Sequence, residues 1–238
     1  MKLRSRRLPL LAVIAVATVV ALPATAMAND GGGQHRDRDD HHQVMREHAH
    51  DERRGDVFSA DLDRVKDNPQ ASNFSNANGA VRARLVGDNL EVWMTVRGLS
   101  PNLPHVAHIH GVLGAHNVCP PASAQNLPPI IVHGIIDTAQ GQPAYGPILV
   151  TLTTSGDTSP GSALDVTRAP MSDAHGVVHY HRVITLPHQV AEDLGQLHIV
   201  MHGRDLNMNH MYDGVNGSLG PGVPLEAEMP VTCGGLND

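Results

Sequence analysis

The stretch His105-Val-Ala-His108-Ile-His110-Gly111 gathers three imidazoles within six residues. Imidazole is a neutral nitrogen ligand suited to copper, zinc, nickel and iron. Residues two apart on a strand point the same way. An extended segment here therefore presents His108 and His110 to one point and turns Ile109 toward the core. Two imidazoles hold an ion weakly, so a third donor must come from elsewhere. His202 ends the run Gln196-Leu-His-Ile-Val-Met-His-Gly203, on the face opposite Leu197, Ile199 and Met201. It is the best distant candidate, and the competing reading is a pair of surface-strand histidines.

The chain holds 17 histidines, so the other groups need separate weighing. His179 and His181 repeat the alternate spacing, but Val178 and Tyr180 define the core side there, which turns both imidazoles to solvent. His198 shares a face with His202 and either orients a ligand or is exposed. Two further stretches resemble oxygen-ligand sites. Pro129 to Gln140 has the outline of half a calcium loop, but Pro129, Ile131 and His133 are poor donors and Gln140 replaces the bidentate glutamate. Asp205, Asn207 and Asn209 alternate, and an Asx-rich turn is the simpler reading than an oxygen-ligand site.

These side chains need strands to position them. Ala80 to Leu85 and Leu90 to Arg97 alternate about Gly87-Asp88-Asn89, which predicts a hairpin. Tyr145 to Asp157, Gly176 to Pro187 and Gln196 to Gly203 read as further strands, with a short helical turn in Pro187 to Gly195. Short strands at this spacing point to an antiparallel sandwich or barrel. The stretch from His110 to Tyr145 is proline-rich and reads as irregular; so long a loop is uncommon unless functional or tied down.

The N-terminus reads differently. Residues 1–28 have a basic start, an apolar run from Leu8 to Leu22, then Ala26-Met27-Ala28, the pattern of a cleavable signal peptide. The expected protein is secreted, with no membrane span after cleavage. Residues 29–55 are glycine, histidine and mixed charge, a composition too polar to offset its ordering entropy, and are expected to be a disordered His-rich linker. Its histidines (35, 41, 42, 48 and 50) suit loose metal holding or simple solvation. Residues 56–238 fit one domain. The net charge of −7 argues against nucleic acid. Two cysteines in the whole chain, Cys119 and Cys233, read as one disulfide in an oxidising compartment. Closing so long a loop is worth about 4–5 kcal/mol at most.

Taken together, "LEVWMTVRGLSPNLPHVAHIHG" resembles the copper/zinc superoxide dismutase signature, in which a strand, a Gly-Leu turn and a His-x-His follow in order. It equally resembles the CHRD domain with its "AHIHG" motif. Cys119 follows His110 by nine residues, "LHIVMHGRD" is similar to the strand bearing a later copper-ligand histidine, and "TCGG" to the segment with the partner cysteine. The resemblance covers most of Val57 to Asp238. It implies an all-β Greek-key sandwich or barrel of the superoxide dismutase-like type, with long loops. It also implies copper held by His108, His110 and His202, and the Cys119–Cys233 disulfide.

The sequence departs from that pattern in three places. The bridging histidine expected soon after the first cysteine is missing from "PPASAQNLPP"; His133 is the candidate fourth ligand and His116 another. No zinc-site run is recognisable between Cys119 and Tyr145, so zinc is not expected. Pro230 stands where the family places an arginine that attracts superoxide, although Arg204 beside His202 could supply the charge. The expected partner is therefore a metal ion, with superoxide a partner only if the copper is catalytic. Three functions remain open: a copper-binding module, a copper-only superoxide dismutase, and a structural CHRD-like module without metal.

Overall fold

In a computed structural model, residues 55–65 and 76–237 are described. The signal-peptide and linker expectations, with the linker histidines, lie outside the described residues. The described chain is an eight-stranded antiparallel sheet curled into a half-barrel, with strand order β5-β4-β7-β8-β1-β2-β3-β6. The strands are β1 (Asp56–Arg64), β2 (Asn78–Val86), β3 (Asn89–Arg97), β4 (Ala107–His110), β5 (Ile148–Thr151), β6 (Val178–Thr185), β7 (His198–His202) and β8 (Pro230–Gly235). The all-β expectation holds.

The predicted hairpin forms as β2 and β3, paired in full register from Asn78↔Arg97 to Val86↔Asn89 across a Gly87-Asp88 turn. Gly87 takes φ +57°, the left-handed conformation that such a turn demands. β1 and β6 flank the hairpin and complete one half of the sheet. The other half is β5-β4-β7-β8, and β1 joins the halves through Asp63↔Cys233 and Arg64↔Thr232 and an isolated Ser59↔Asn237 bridge. The chain crosses between halves after β3, β5 and β6, the long connections of a Greek key.

One apolar cluster fills the space between the halves. It takes Val81, Val92 and Met94 from one, and Ile109, Leu197 and Ile199 from the other. Alternation thus sends Ile109 and Ile199 inward and leaves His108, His110 and His202 on the outer side of their strands, as period two requires. That outer side is not open to water. All residues of β4 and β7 are buried, because the chain from 111 to 147 folds over it.

This covering segment is more ordered than its prolines suggested. It contains helix α1 (Thr138–Tyr145), started by a capping box in which Asp137 accepts from the Gln140 backbone and Gln140 from the Asp137 backbone. The buried Gln140 amide also donates to the Gln125 and Leu127 carbonyls (2.9 and 2.7 Å), tying α1 to the preceding loop. Cys119 is bonded to Cys233 of β8, and both pack with Val200, Ile136 and Tyr145 in a second apolar cluster on the outer face. The expected helical turn is α2 (His188–Glu192), and α3 (Leu225–Glu228) precedes β8. No helix of the described residues is long and apolar enough to cross a membrane.

Candidate metal centre

β4 delivers His108 and His110, and β7 runs antiparallel beside it with Ala107 opposite Met201, which brings His202 alongside. The ring centroids lie 5.4 Å (His108–His110), 5.2 Å (His108–His202) and 5.8 Å (His110–His202) apart. One nitrogen from each ring falls within 4.8 Å of the other two. All three residues are buried, with relative exposures of 2%, 1% and 3%.

Each ring spends its other nitrogen on a backbone carbonyl. His108 Nε2 donates to Ala163 O (3.0 Å), His110 Nδ1 to Gly146 O (3.0 Å) and His202 Nδ1 to Glu228 O (2.6 Å). A carbonyl only accepts, so these nitrogens carry the protons and the tautomers are fixed. The remaining atoms, His108 Nδ1, His110 Nε2 and His202 Nε2, are buried lone pairs without a hydrogen-bond partner. An unsatisfied buried polar atom costs about 1–3 kcal/mol. Three of them in one spot fit a shared cation, which needs three lone pairs and no donor. The donor chemistry therefore fits a metal ion.

The electrostatics agree with neutral rings. Burial, then the neighbouring His202 and His110, holds His108 well below the usual histidine range. Burial, then His202, lowers His110 to about 3, and burial lowers His202 to about 4. Neutral imidazole is the ligating form.

Three separate loops supply the three carbonyl acceptors. Gly146 ends α1 at φ +82°, and a side chain there would collide with the Gly111 backbone, so only glycine lets this carbonyl approach His110. Tyr145, just before it, packs edge-on against His110 at 4.6 Å. At the other end of α1, the Thr138 hydroxyl donates to the same Glu228 carbonyl that His202 uses (2.8 Å). α1 thus spans the trio like a bar. Ala163 lies in the loop after β5, braced by Asp157, which accepts from the Ser159 and Ser162 hydroxyls (2.7 and 2.6 Å). Those bonds hold the Asp157 carboxyl down to about 2. Arg182 of β6 clasps the same loop at Thr153 O and Gly156 O (2.7 and 2.6 Å).

His108, His110 and His202 are brought together; the other proposed ligand is not. His133 sits exposed in a turn with Gly134, outside the trio. The reason is α1: the residues after His133 turn into the capping box, and it is Tyr145 and Gly146 that reach the site. His116 is exposed. His198 is buried opposite His110 on β7 but is not part of the trio. His179 and His181 face solvent, where Trp93 stacks on His181 (5.2 Å). Pro230 pairs with His202 at the start of β8, and Arg204 is buried.

The sequence assigns no role to His105. It is fully buried, its Nε2 is 3.0 Å from Ser100 O, and its Nδ1 is 3.1 Å from His202 O and 3.3 Å from the Tyr212 hydroxyl. It buttresses the backbone of His202, and nothing in its spacing announces that. The carbonyl acceptors are equally invisible, because any residue has a carbonyl. No family model matches the chain, and no curated protein matches it.

Proposed function

We propose that this protein binds one copper ion through His108 Nδ1, His110 Nε2 and His202 Nε2. The observation that supports the reading is the division of labour in each ring: one nitrogen is anchored to a carbonyl, and the other is buried without a hydrogen-bond partner in a group of three close imidazoles. Imidazoles suit several first-row metals; the resemblance to the dismutase and CHRD group selects copper among them. When bound, the ion supplies a redox-active centre. The chain's own contribution is to fix three tautomers, keep the rings neutral and cover the site with α1 and the loop of Ala163. The protein reads as a secreted copper-holding module of that group.

Superoxide dismutation is the second reading, favoured by the order His-x-His, Cys, His, Cys. It is the weaker one, because Pro230 occupies the position of the expected arginine and His133 lies outside the trio.

Copper titration of the full chain beside His110→Ala and His202→Ala tests the first reading. Histidines of the N-terminal segment contribute equally to all three samples and cancel. Loss of one tightly held ion in each variant is expected, and identical stoichiometry in all three would sink the proposal. A superoxide assay on the copper-loaded protein separates the readings: turnover lost in both variants marks an enzyme, and none marks a holder.

A further inference from the structure

The chain from Asp205 to Asp213, read above as an Asx-rich turn, is indeed held by its own polar side chains. Asp205 accepts from the backbone N–H groups of Asn209 and His210 (3.2 and 2.7 Å). Asp213 accepts from the Asn207 and Asn209 amides (3.0 and 2.7 Å). Glu226 receives the N–H groups of Leu206 and Asp213 (2.8 and 2.9 Å), fastening both ends of the loop. The oxygens suited to a hard cation are thus committed to the loop itself.

What the loop presents outward is soft. Met208 is 75% exposed and Met211 57%, with an exposed His210 between them. Met208 and His210 both take left-handed backbone, at φ +61° and +65°. That conformation suits glycine or asparagine, not a long thioether. Nor does core packing explain the methionines, since both are more than half exposed. A side chain that serves neither conformation nor burial, on a loop built to hold it out, calls for a chemical reason.

We infer that Met208, His210 and Met211 form a surface site for a soft monovalent cation, copper(I) being the biological one. Thioether sulfur selects copper(I) over hard ions, and imidazole accepts it as well. Three steps of backbone separate the outer two donors, at most about 10–11 Å between their Cα atoms even if fully extended. Methionine has three rotatable bonds, and both thioethers are more than half exposed, so side-chain rotation is free to bring the donors to one ion. The site stands apart from the buried trio: it uses other residues and other donor atoms, and it does not depend on that reading.

Silver(I), a redox-inert soft cation, is the probe. It is titrated into the full chain carrying 13C-methyl methionine, with methyl signals assigned by single Met→Leu variants. Met171, 59% exposed on a different loop, is the internal control for casual thioether binding. The Met208 and Met211 methyls are expected to shift together on one saturation curve, at least about tenfold tighter than Met171, because linked donors raise each other's effective concentration. His210→Ala should weaken both responses and leave Met171 unchanged, while His110→Ala should leave all three unchanged. Equal response of the three methionines, or indifference to His210→Ala, would overturn the site. Neither result bears on the copper stoichiometry of the buried trio, which is read by its own variants.

Discussion

His108, His110 and His202 illustrate how a backbone carbonyl can do the work of a carboxylate. Each ring is oriented by one neutral acceptor, which fixes the tautomer without adding charge. The rings thus stay uncharged through the ordinary pH range, with His110 near 3 and His202 near 4. An exposed histidine site loses its ligands to protons below about 6.5. Here copper affinity is expected to stay level from pH 7.5 down to about 5, and a titration series across that window checks it. A tenfold fall by pH 6 would show that the rings are open to protons.

Elements, rather than single residues, decide whether the trio keeps its geometry. α1 spans the site, so weakening its start should be felt at its end. Gln140→Ala removes half of the capping box and two further carbonyl contacts, and should cost about 1–3 kcal/mol in denaturant unfolding. Gly146→Ala places a side chain against Gly111 at a left-handed position, and should weaken copper binding more than it lowers stability. The comparison of midpoint and affinity in that one variant is the check; equal affinity would detach His110 from its acceptor. Much of this scale was legible in sequence. The hairpin over residues 80–97 and the alternation of β7 follow from period two. α1 was not legible, because Gly141, Pro143 and the surrounding prolines mask it, although Asp137 followed by Gln140 carries the capping signal. β1 also escaped notice: its core side is Ala60 and Leu62 among charged neighbours, which is a thin stripe.

For the molecule as a whole, three buried neutral histidines form a linked acid sensitivity. Their folded pKa values are depressed below the unfolded value near 6.5, so the unfolded chain binds more protons between those limits. The contribution is fully present above pH 6.5 and is lost as pH falls through about 4 for His202 and about 3 for His110. The metal-free protein should therefore melt at progressively lower temperature over that window, and scanning calorimetry reads the slope. A bound ion adds stability by mass action, about 2.7 kcal/mol at a hundredfold excess over Kd. That gain should vanish in His202→Ala. Reducing the Cys119–Cys233 bond, which fastens the covering segment to β8, should lower the melting point of both forms.

The three carbonyl acceptors sit at residues 146, 163 and 228; the first two serve the His-x-His that precedes them, and the third serves His202. A chain grown only as far as Ala163 owns two imidazoles with their anchors and no third. The third ring arrives at residue 202, and its anchor at residue 228. The trio therefore needs chain that lies far beyond the His-x-His itself. Before residue 202 is made, the chain owns a two-point grip; the third point waits for β7 and the carbonyl that orients it.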